Sequence, residues 1–546
     1  MNWITHEVTN TVPELKDWNL YTTDVVLQQA VQRGGGQAQE PSLMRYGAAL
    51  GSEQTIRWAE AANRFKPELR CFDRVGHRVD QVEFHDAWHG LMRMLRAQNL
   101  VSQPFSDPRP GAWSAYAAGF SMHAQIEGGS LCPTSMTFAC IPVLQKEPAL
   151  FEPLRARLYS TTYDARDLPI AQKDSILIGM GMTEKQGGSD VRSNTTVATA
   201  LRGEGRGAEY SLVGHKWFFS APMCDAHLVV ARTEAGPSCF YVPRFRPDGS
   251  RNAVRVQRLK NKLGNGSNAS GEVEFQGAWG VMVGDEGRGI PTIIEMAGYT
   301  RLHCVLGSAG MIRHGVVQAI HCARHRRAFG KLLVEQPLMQ NVLADLALES
   351  EAATHLMMRL ARAFEPADAP LQRAYQRIVT PAAKFWVCKR GVELAGEAME
   401  VFGGNGYVED APMARLFREM PVNSIWEGSG NVMCLDVLRA ISREPDAMQA
   451  LLDELAQQGA GDARLQAPLR ALRDALRQPA DALEAGARRL VRRLVLLVQA
   501  ALLLNDAPGF VSDAFIASRF DPEGGGVYGL LPRQADAAAL IERAWA

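Results

Sequence analysis

The chain is organised around the stretch Val422-Asn423-Ser424-Ile425-Trp426-Glu427-Gly428-Ser429-Gly430-Asn431. A carboxylate beside Trp426 would lose solvation, an environment that is typical of a general base. Gly428 and Gly430 let the backbone approach a ligand closely and leave N–H groups free to donate. Taken alone, the stretch is equally consistent with a surface turn after a helix. The other motifs of the chain decide between these two interpretations.

Two motifs upstream carry groups that could bind a flat ring or a phosphate. The first is Gly179-Met180-Gly181-Met182-Thr183-Glu184-Lys185-Gln186-Gly187-Gly188-Ser189-Asp190, whose N–H and O–H groups can surround a polar ring edge or a phosphate. The second is Gly214-His215-Lys216-Trp217-Phe218-Phe219-Ser220, an aromatic strand that ends in a hydroxyl and can stack on a flat ring. Considered separately, the first is also compatible with a surface loop and the second with a core strand.

The bulk composition is that of an ordinary globular protein. The 546 residues are too many for one core and predict three or four domains. With 59 basic and 59 acidic residues, no global field draws the chain to nucleic acid or to a membrane. The nine cysteines are scattered and form no C-x-x-C pair, which predicts reduced thiols, a cytoplasmic location and no metal. Neither a signal peptide nor a membrane span is expected.

Hydrophobic periodicity predicts a mainly α protein with a small central β domain. Helical spacing dominates residues 1–178 and 279–443, whereas short β-rich runs separated by Gly, Pro and Asn fill residues 179–278. We expect that β domain to be antiparallel. Residues 444–546 are rich in Ala, Leu and Arg and predict an additional helical domain. The absence of β-α-β alternation argues against a Rossmann domain.

These motifs, together with Arg326-Arg327-Ala328-Phe329-Gly330 and Gly403-Gly404-Asn405-Gly406-Tyr407, resemble the acyl-CoA dehydrogenase family. The resemblance covers about residues 120–440 and is specific, because five motifs occur in the family's order. It is closest to a branch of that family associated with the adaptive response to DNA alkylation, through residues 179–194, 262–270 and 421–434. The resemblance implies the family's fold, followed here by the extra C-terminal domain.

The resemblance also implies an FAD cofactor. Met182, Thr183, Gly188 and Ser189 would contact the flavin and its ribityl chain or phosphate. Phe218, with Trp217 beside it, would lie against the flavin ring, and Ser220 would reach the ring edge. Gly403, Gly404, Ser429 and Asn431 would contact the rest of the dinucleotide. Arg326 and Phe329 would hold an FAD that is bound mainly to a neighbouring subunit. The shared cofactor implies a homo-oligomer, expected to be a tetramer.

Glu427 matches the family's catalytic base, which removes the α-proton of an acyl-CoA thioester. Some family members place the base just before the arginine that corresponds to Arg301, but Thr300 stands there and cannot act as one. Gly266 replaces a common arginine, and Pro337 replaces a glutamine that usually binds FAD, with Gln336 as a partial substitute. Ser429 replaces the commoner threonine, which is a mild change. Together these departures imply weak or atypical handling of acyl-CoA.

A basic cluster in the C-terminal domain suggests a second role. Arg488, Arg489, Arg492 and Arg493 fall on one helical face, with leucines and valines opposite. A solvated helix surface is the competing interpretation, and the many acidic residues of the domain weaken the case for DNA. The resemblance supports that case, because the adaptive-response branch binds double-stranded DNA. The cluster lies outside the flavin motifs, so its loss is expected to leave the FAD content unchanged. Arg439 or Arg519 could share the contact with DNA.

The sequence therefore predicts a cytoplasmic FAD-containing acyl-CoA dehydrogenase with weak activity on thioesters such as isovaleryl-CoA and with a DNA-protective role. The alternative is an ordinary acyl-CoA dehydrogenase of fatty or branched-chain acid breakdown that has no DNA role. Neither the physiological substrate nor the electron acceptor follows from the sequence.

Overall fold

The computed structural model describes residues 3–366, 369–521, 524 and 526–545. Helices make up most of this part of the chain, as predicted. Their bounds are α1 Val25–Arg33, α2 Glu40–Gly51, α3 Glu53–Arg64, α4 Asp86–Ala97, α5 Gln103–Ser106, α6 Ala112–Ile126, α7 Leu131–Leu144, α8 Pro148–Leu158, α9 Gly289–His325, α10 Pro337–Ala363, α11 Pro370–Ala374, α12 Thr380–Val401, α13 Pro412–Asn423, α14 Gly430–Arg443, α15 Pro445–Gln458, α16 Gln466–Leu476, α17 Ala480–Asp506, α18 Gly509–Arg519 and α19 Ala537–Trp545.

The strands lie mainly in the central region, which confirms the predicted fold class. Their bounds are β1 Glu68–Phe72, β2 Arg78–Glu83, β3 Ile178–Gly181, β4 Val197–Arg202, β5 Glu209–Ser220, β6 Ala226–Thr233, β7 Gly236–Pro243, β8 Val254–Leu259, β9 Ser270–Val283, β10 Arg327–Ala328 and β11 Lys331–Leu332.

The chain folds as two compact units. One comprises Met1–Glu53, Trp113–Ile126 and Cys304–Ala546, and will be called the helical unit. The other comprises Gln54–Ala112 and Glu127–His303, and will be called the sheet unit. The division into four consecutive domains, made from the sequence, remains a prediction. None of the helices in the described ranges is long and apolar enough to cross a membrane.

The sheet unit contains a seven-stranded sheet in the order β3-β6-β4-β5-β9-β7, with β8 also on β9 and β7 paired back to β6. Its interior is filled by inward-facing side chains such as Leu212, Phe219, Phe240 and Phe275. Burying such large apolar side chains is the main stabilising contribution to a small sheet domain. This interior fixes β5, which carries part of the predicted flavin site.

Two features of the sheet unit differ from the sequence prediction. The sheet is mixed, because β3 and β4 each pair in parallel with β6. In addition, β1 and β2 form an antiparallel hairpin within a region predicted to be helical. Its alternation is weak, since the strand Glu68–Phe72 buries none of its residues fully, so periodicity did not reveal it.

The helical unit is a bundle in which α17 packs against α10, α12, α14 and α16. The apolar face of α17 is buried from Leu490 to Leu503. A buried charge network lies close by, where Arg519 Nη2 contacts Asp345 at 2.6 Å and Glu349 at 3.1 Å. Because Arg519 is buried and paired, it is not available to DNA, which corrects the sequence expectation.

Candidate active site

The loop after β3 is tied to β5 by its backbone. The carbonyl of Met182 accepts a 2.7 Å hydrogen bond from Nδ2 of Asn194. The carbonyl of Thr183 accepts a 2.9 Å hydrogen bond from the N–H of Trp217. Two residues predicted to bind the flavin, Thr183 and Trp217, are therefore held side by side. Their side chains remain partly exposed.

The hydroxyl groups of this region are accessible. A Cβ on Gly188 would lie 2.5 Å from Oγ1 of Thr183, so a glycine is needed for the loop to fold back onto that hydroxyl. Ser189 is exposed on the same loop, and Ser220 is partly exposed at the end of β5, where it pairs with Ser270. These groups are available to donate to a polar ligand.

A buried ion pair, which sequence reasoning missed, anchors the loop. Lys216 Nζ on β5 donates to Glu184 at 2.7 Å, and neither side chain is exposed. Backbone and hydroxyl groups of Thr195 and Thr196 donate to the same carboxylate at 2.6–3.1 Å. Alternation along β5 could have revealed the burial of Lys216, because Lys216 lies on the same face of the strand as the buried residues Tyr210 and Leu212.

Burial and pairing act against each other in this ion pair. Burial would raise the pKa of Glu184, but the Lys216 ammonium and the threonine donors hold it well below its usual range. Burial lowers the pKa of Lys216 to about 8, although the carboxylate opposes that change. The pair consequently remains charged at neutral pH and fixes the loop to the strand.

A bulge turns two aromatic residues of β5 outward. The pairing of β5 with β9 shifts register between Lys216 and Phe219, and a bulge re-aims side chains. Phe219 enters the core, while Phe218 is 53% exposed and Trp217 is partly exposed. Lys260 Nζ lies 3.6 Å from the Trp217 ring centroid and 4.5 Å from that of Phe218. The result is an accessible aromatic surface with a cation beside it.

In the helical unit, Glu427 lies in the turn between α13 and α14 with a backbone φ of 59°. A left-handed conformation is strained for a non-glycine residue, and such residues cluster at functional sites. The carbonyl of the next residue, Gly428, accepts a 2.8 Å hydrogen bond from Lys384 Nζ. Gly428 has a φ of 108°, in the left-handed region, so the turn requires glycine there. The hydrogen bond from Lys384 thus joins the turn around Glu427 to α12.

Ser429 and Asn431 flank the start of α14. Ser429 is the N-cap but makes no side-chain capping hydrogen bond. The side-chain oxygen of Asn431 accepts a 2.8 Å hydrogen bond from Nε of Arg488 on α17. This contact contradicts the expectation that the arginine cluster is separate from the flavin motifs, because folding brings α17 to the first turn of α14.

Phe329 stands at the tip of the β10–β11 hairpin. It is 99% exposed and has a φ of 52°, followed by Gly330 with a φ of 81°. An aromatic residue in this conformation is unusual, and nothing in the described part of the helical unit covers it. Arg326 is also exposed and donates from Nη1 to the carbonyl of Asn10 at 2.6 Å. Gln336, the expected partial substitute for an FAD-binding glutamine, donates to the carbonyl of Ala328 instead.

Gly403 and Gly404 are exposed after α12. Gly403 has a φ of 61°, which explains a glycine there. Gly404 has no such φ, and a Cβ on either residue would have no atom of the described chain within 4 Å. Neither backbone conformation nor a contact within the described chain explains the glycine at position 404.

The arginine cluster lies on α17 as predicted. Arg489 and Arg492 are exposed, and Arg493 is partly buried and donates to the carbonyl of Ala471 at 2.9 Å. Arg488 and these three form no ion pair with an acidic side chain within the described ranges. Partial burial lowers the pKa of Arg492 from its usual value, and nearby guanidinium groups add to that effect.

The predicted site residues therefore fall into two sets. The sheet unit holds Met182, Thr183, Gly188, Ser189, Trp217, Phe218 and Ser220, whereas the helical unit holds Arg326, Phe329, Gly403, Gly404, Glu427, Ser429, Asn431 and the four arginines.

Comparison with known protein families identifies the family to which this combination of fold and motifs belongs. Residues 179–278 match the acyl-CoA dehydrogenase middle domain, and residues 287–442 match the acyl-CoA dehydrogenase C-terminal domain. Residues 10–165 match the adaptive response protein AidB N-terminal domain. The chain belongs to the acyl-CoA dehydrogenase family.

Within that family, the chain is 47% identical over 529 residues to AidB of Escherichia coli (strain K12), covering 96% of each chain. The structure of Caenorhabditis elegans ACDH-11 in complex with C11-CoA is similar, with a TM-score of 0.84 and 25% identity over 100% of this chain and 93% of that one. A Bacillus anthracis acyl-CoA dehydrogenase complexed with FAD shares the fold, with a TM-score of 0.63 and 17% identity over 80% of this chain and 81% of that one.

Family membership makes this chain an FAD-dependent oxidoreductase of the acyl-CoA dehydrogenase type. Its residues fit that cofactor. An accessible aromatic pair with free hydroxyl groups suits a flat ring with a polar edge, and the uncapped start of α14 suits an anionic diphosphate. The uncovered Phe329 and the open glycines at 403 and 404 likewise suit contact with a large ligand.

Proposed function

We propose that this chain weakly oxidises acyl-CoA thioesters of the isovaleryl-CoA type, with Glu427 as the catalytic base. The observation that carries the proposal is the strained backbone of Glu427 in a turn that the Lys384 hydrogen bond joins to α12. A carboxylate kept in an unfavourable conformation by its surroundings has the character of a functional group. The resemblance of this stretch to the family's motif supports the same assignment.

The proposed reaction removes two hydrogens from adjacent carbons of the acyl chain. Glu427 takes the α-proton, the electron pair of that C–H bond forms the Cα–Cβ double bond, and the β-hydrogen leaves as hydride. Bound FAD supplies the hydride acceptor. Thr183, Trp217, Phe218 and Ser220 would hold the ring, and Ser429 and Asn431 would hold the dinucleotide.

The proposal includes a cytoplasmic homotetramer in which each FAD also contacts a neighbouring subunit. Phe329 supports this, because an aromatic side chain that is 99% exposed at a strained turn is suited to an intermolecular contact. The cysteines fit a reducing compartment, since all nine are free and eight of them are buried.

The test is a spectrum of the purified protein followed by anaerobic titration with acyl-CoAs. We expect a yellow protein whose flavin is bleached by isovaleryl-CoA. Butyryl-CoA and a C11-CoA serve as comparison substrates with acyl chains of other shapes. The C11-CoA is chosen because the similar C. elegans protein was solved in complex with C11-CoA. A colourless protein that takes up no FAD contradicts the proposal, as does a flavin that none of these thioesters reduces.

We also propose that the chain binds double-stranded DNA through the arginine face of α17. Four guanidinium groups without acidic partners in the described structure lie on one surface, and such crowding favours the arrival of a polyanion. Duplex binding that weakens with salt supports this role and a protective function in the alkylation response. Absence of duplex binding at low salt leaves the alternative, an ordinary acyl-CoA dehydrogenase of fatty or branched-chain acid breakdown.

A further inference from the structure

Arg488 reaches from α17 to the first turn of α14. Its Nε donates to Oδ1 of Asn431 at 2.8 Å, and its guanidinium carbon lies 5.7 Å from the centroid of the Phe385 ring. A Cβ on Gly430 would lie 3.4 Å from Nη2 of Arg488 and 2.9 Å from Cε of Lys389. The guanidinium thus lies beside Gly430 and Asn431, while Arg488 as a whole remains exposed.

This contact determines which end of the Asn431 amide faces Arg488. A guanidinium group can only donate hydrogen bonds, so the amide must present its oxygen to Arg488. The NH₂ group of Asn431 is then directed elsewhere, and the exposed side chain acts as a donor towards any ligand that approaches it. Without Arg488, either end of the amide could face that ligand.

We propose that Arg488 is a positioning residue of the FAD site, which orients Asn431 as a hydrogen-bond donor towards the cofactor. The inference rests on the proposed role of Asn431 in binding FAD. It means that retention of the cofactor depends on α17, which lies outside the part of the chain that matches the acyl-CoA dehydrogenase domains.

A purely structural role for Arg488 makes different predictions. If Arg488 only joined α17 to α14, Asn431→Asp would be harmless, because a carboxylate accepts from Arg488 at least as well as an amide. If Asn431 must donate to FAD, Asn431→Asp keeps the Arg488 contact but loses the donor. The two roles therefore separate in a variant that preserves the contact between the helices.

The experiment measures FAD release from the full-length holoprotein after dilution, by the rise in free-flavin fluorescence. Relative to wild type, we expect release about three- to tenfold faster in Arg488→Gln, the size of effect expected for the loss of one ordinary hydrogen bond to the cofactor. Asn431→Asp should be affected at least as strongly, while its melting temperature stays near that of wild type. Arg470→Gln is the matched control, because it neutralises an exposed arginine of α16, which packs against α17, and should release FAD at the wild-type rate.

A double variant tests whether the two residues act together. Arg488→Gln combined with Asn431→Ala should release FAD no faster than Asn431→Ala alone, since the first change acts through the second. Wild-type release from Arg488→Gln, or additive effects in the double variant, would overturn the positioning role while leaving the flavoenzyme intact. A wild-type protein that binds no FAD would overturn both the inference and the proposed function.

Discussion

Arg488 and Asn431 are joined by a 2.8 Å hydrogen bond although 57 positions separate them in the sequence. This relationship divides the arginine cluster, because Arg488 is engaged with a predicted cofactor residue and Arg489 is exposed beside it. The four arginines are therefore not equivalent, and a test of DNA binding must leave Arg488 unchanged.

Replacing Arg489 and Arg492 together with glutamine should weaken duplex binding regardless of sequence. Each phosphate contact contributes about 0.9 to the slope of log affinity against log salt, so we expect the slope to flatten by about 1.8. Fluorescence anisotropy with a labelled duplex over a series of salt concentrations measures this slope, and FAD content should be unchanged. An unaltered slope would mean that this face of α17 is only a solvated helix surface and does not contact DNA.

Glu427→Gln should retain FAD but lose most of the flavin bleaching caused by isovaleryl-CoA. Removal of a general base typically costs about 10²–10⁴-fold in rate, and stopped-flow absorbance measures that rate. Glu409→Gln is a suitable control, because Glu409 is an exposed carboxylate paired with Arg418 in the same unit. Equal rates in wild type and Glu427→Gln would mean that another group takes the proton.

Phe329→Asn should preserve or improve the stability of the subunit while weakening subunit association and FAD retention. Asparagine tolerates a positive φ better than phenylalanine, so the hairpin loses strain, but the exposed ring is lost. Sedimentation velocity and flavin content give the two readouts. Val75→Ala, at the exposed β1–β2 turn, should change neither. Unchanged assembly in Phe329→Asn would show that the ring has no partner.

Glu184→Gln should lower the free energy of unfolding by about 3–5 kcal/mol at pH 7, because it breaks a buried ion pair. The pKa of Lys216 in the folded protein, about 8, lies below its ordinary value of 10.5. As pH rises through that lowered pKa, the folded wild type loses the ammonium that attracts the carboxylate. The difference between wild type and variant should therefore shrink as the pH rises through about 8, and urea unfolding at pH 7 and pH 9.5 can measure this. A difference independent of pH would argue that Lys216 does not change its protonation state between these two pH values.

Local pattern was enough to predict the class of fold and most of the helices and strands. The helix Leu131–Leu144 follows from a continuous run of apolar and small residues, nearly all of which are buried. The strands that surround Phe240 and Phe275 follow from short β-rich runs separated by turn residues. The family could also be identified from the sequence, because each motif is a short stretch with its own chemistry and the motifs occur in the family's order. Glu427 and the predicted flavin contacts were named at this level, and their roles remain predictions.

Only the tertiary structure decided which side chains meet. Arg488 with Asn431 and Lys216 with Glu184 are contacts between elements distant in sequence, and periodicity shows a face but not the partner on that face. The bulge that exposes Phe218 depends on the register of β5 against β9, and the positive φ of Phe329 and Glu427 depends on the turns that confine them. Long-range packing sets these features, because it can outweigh the local preference of a residue when enough surrounding contacts hold it in place.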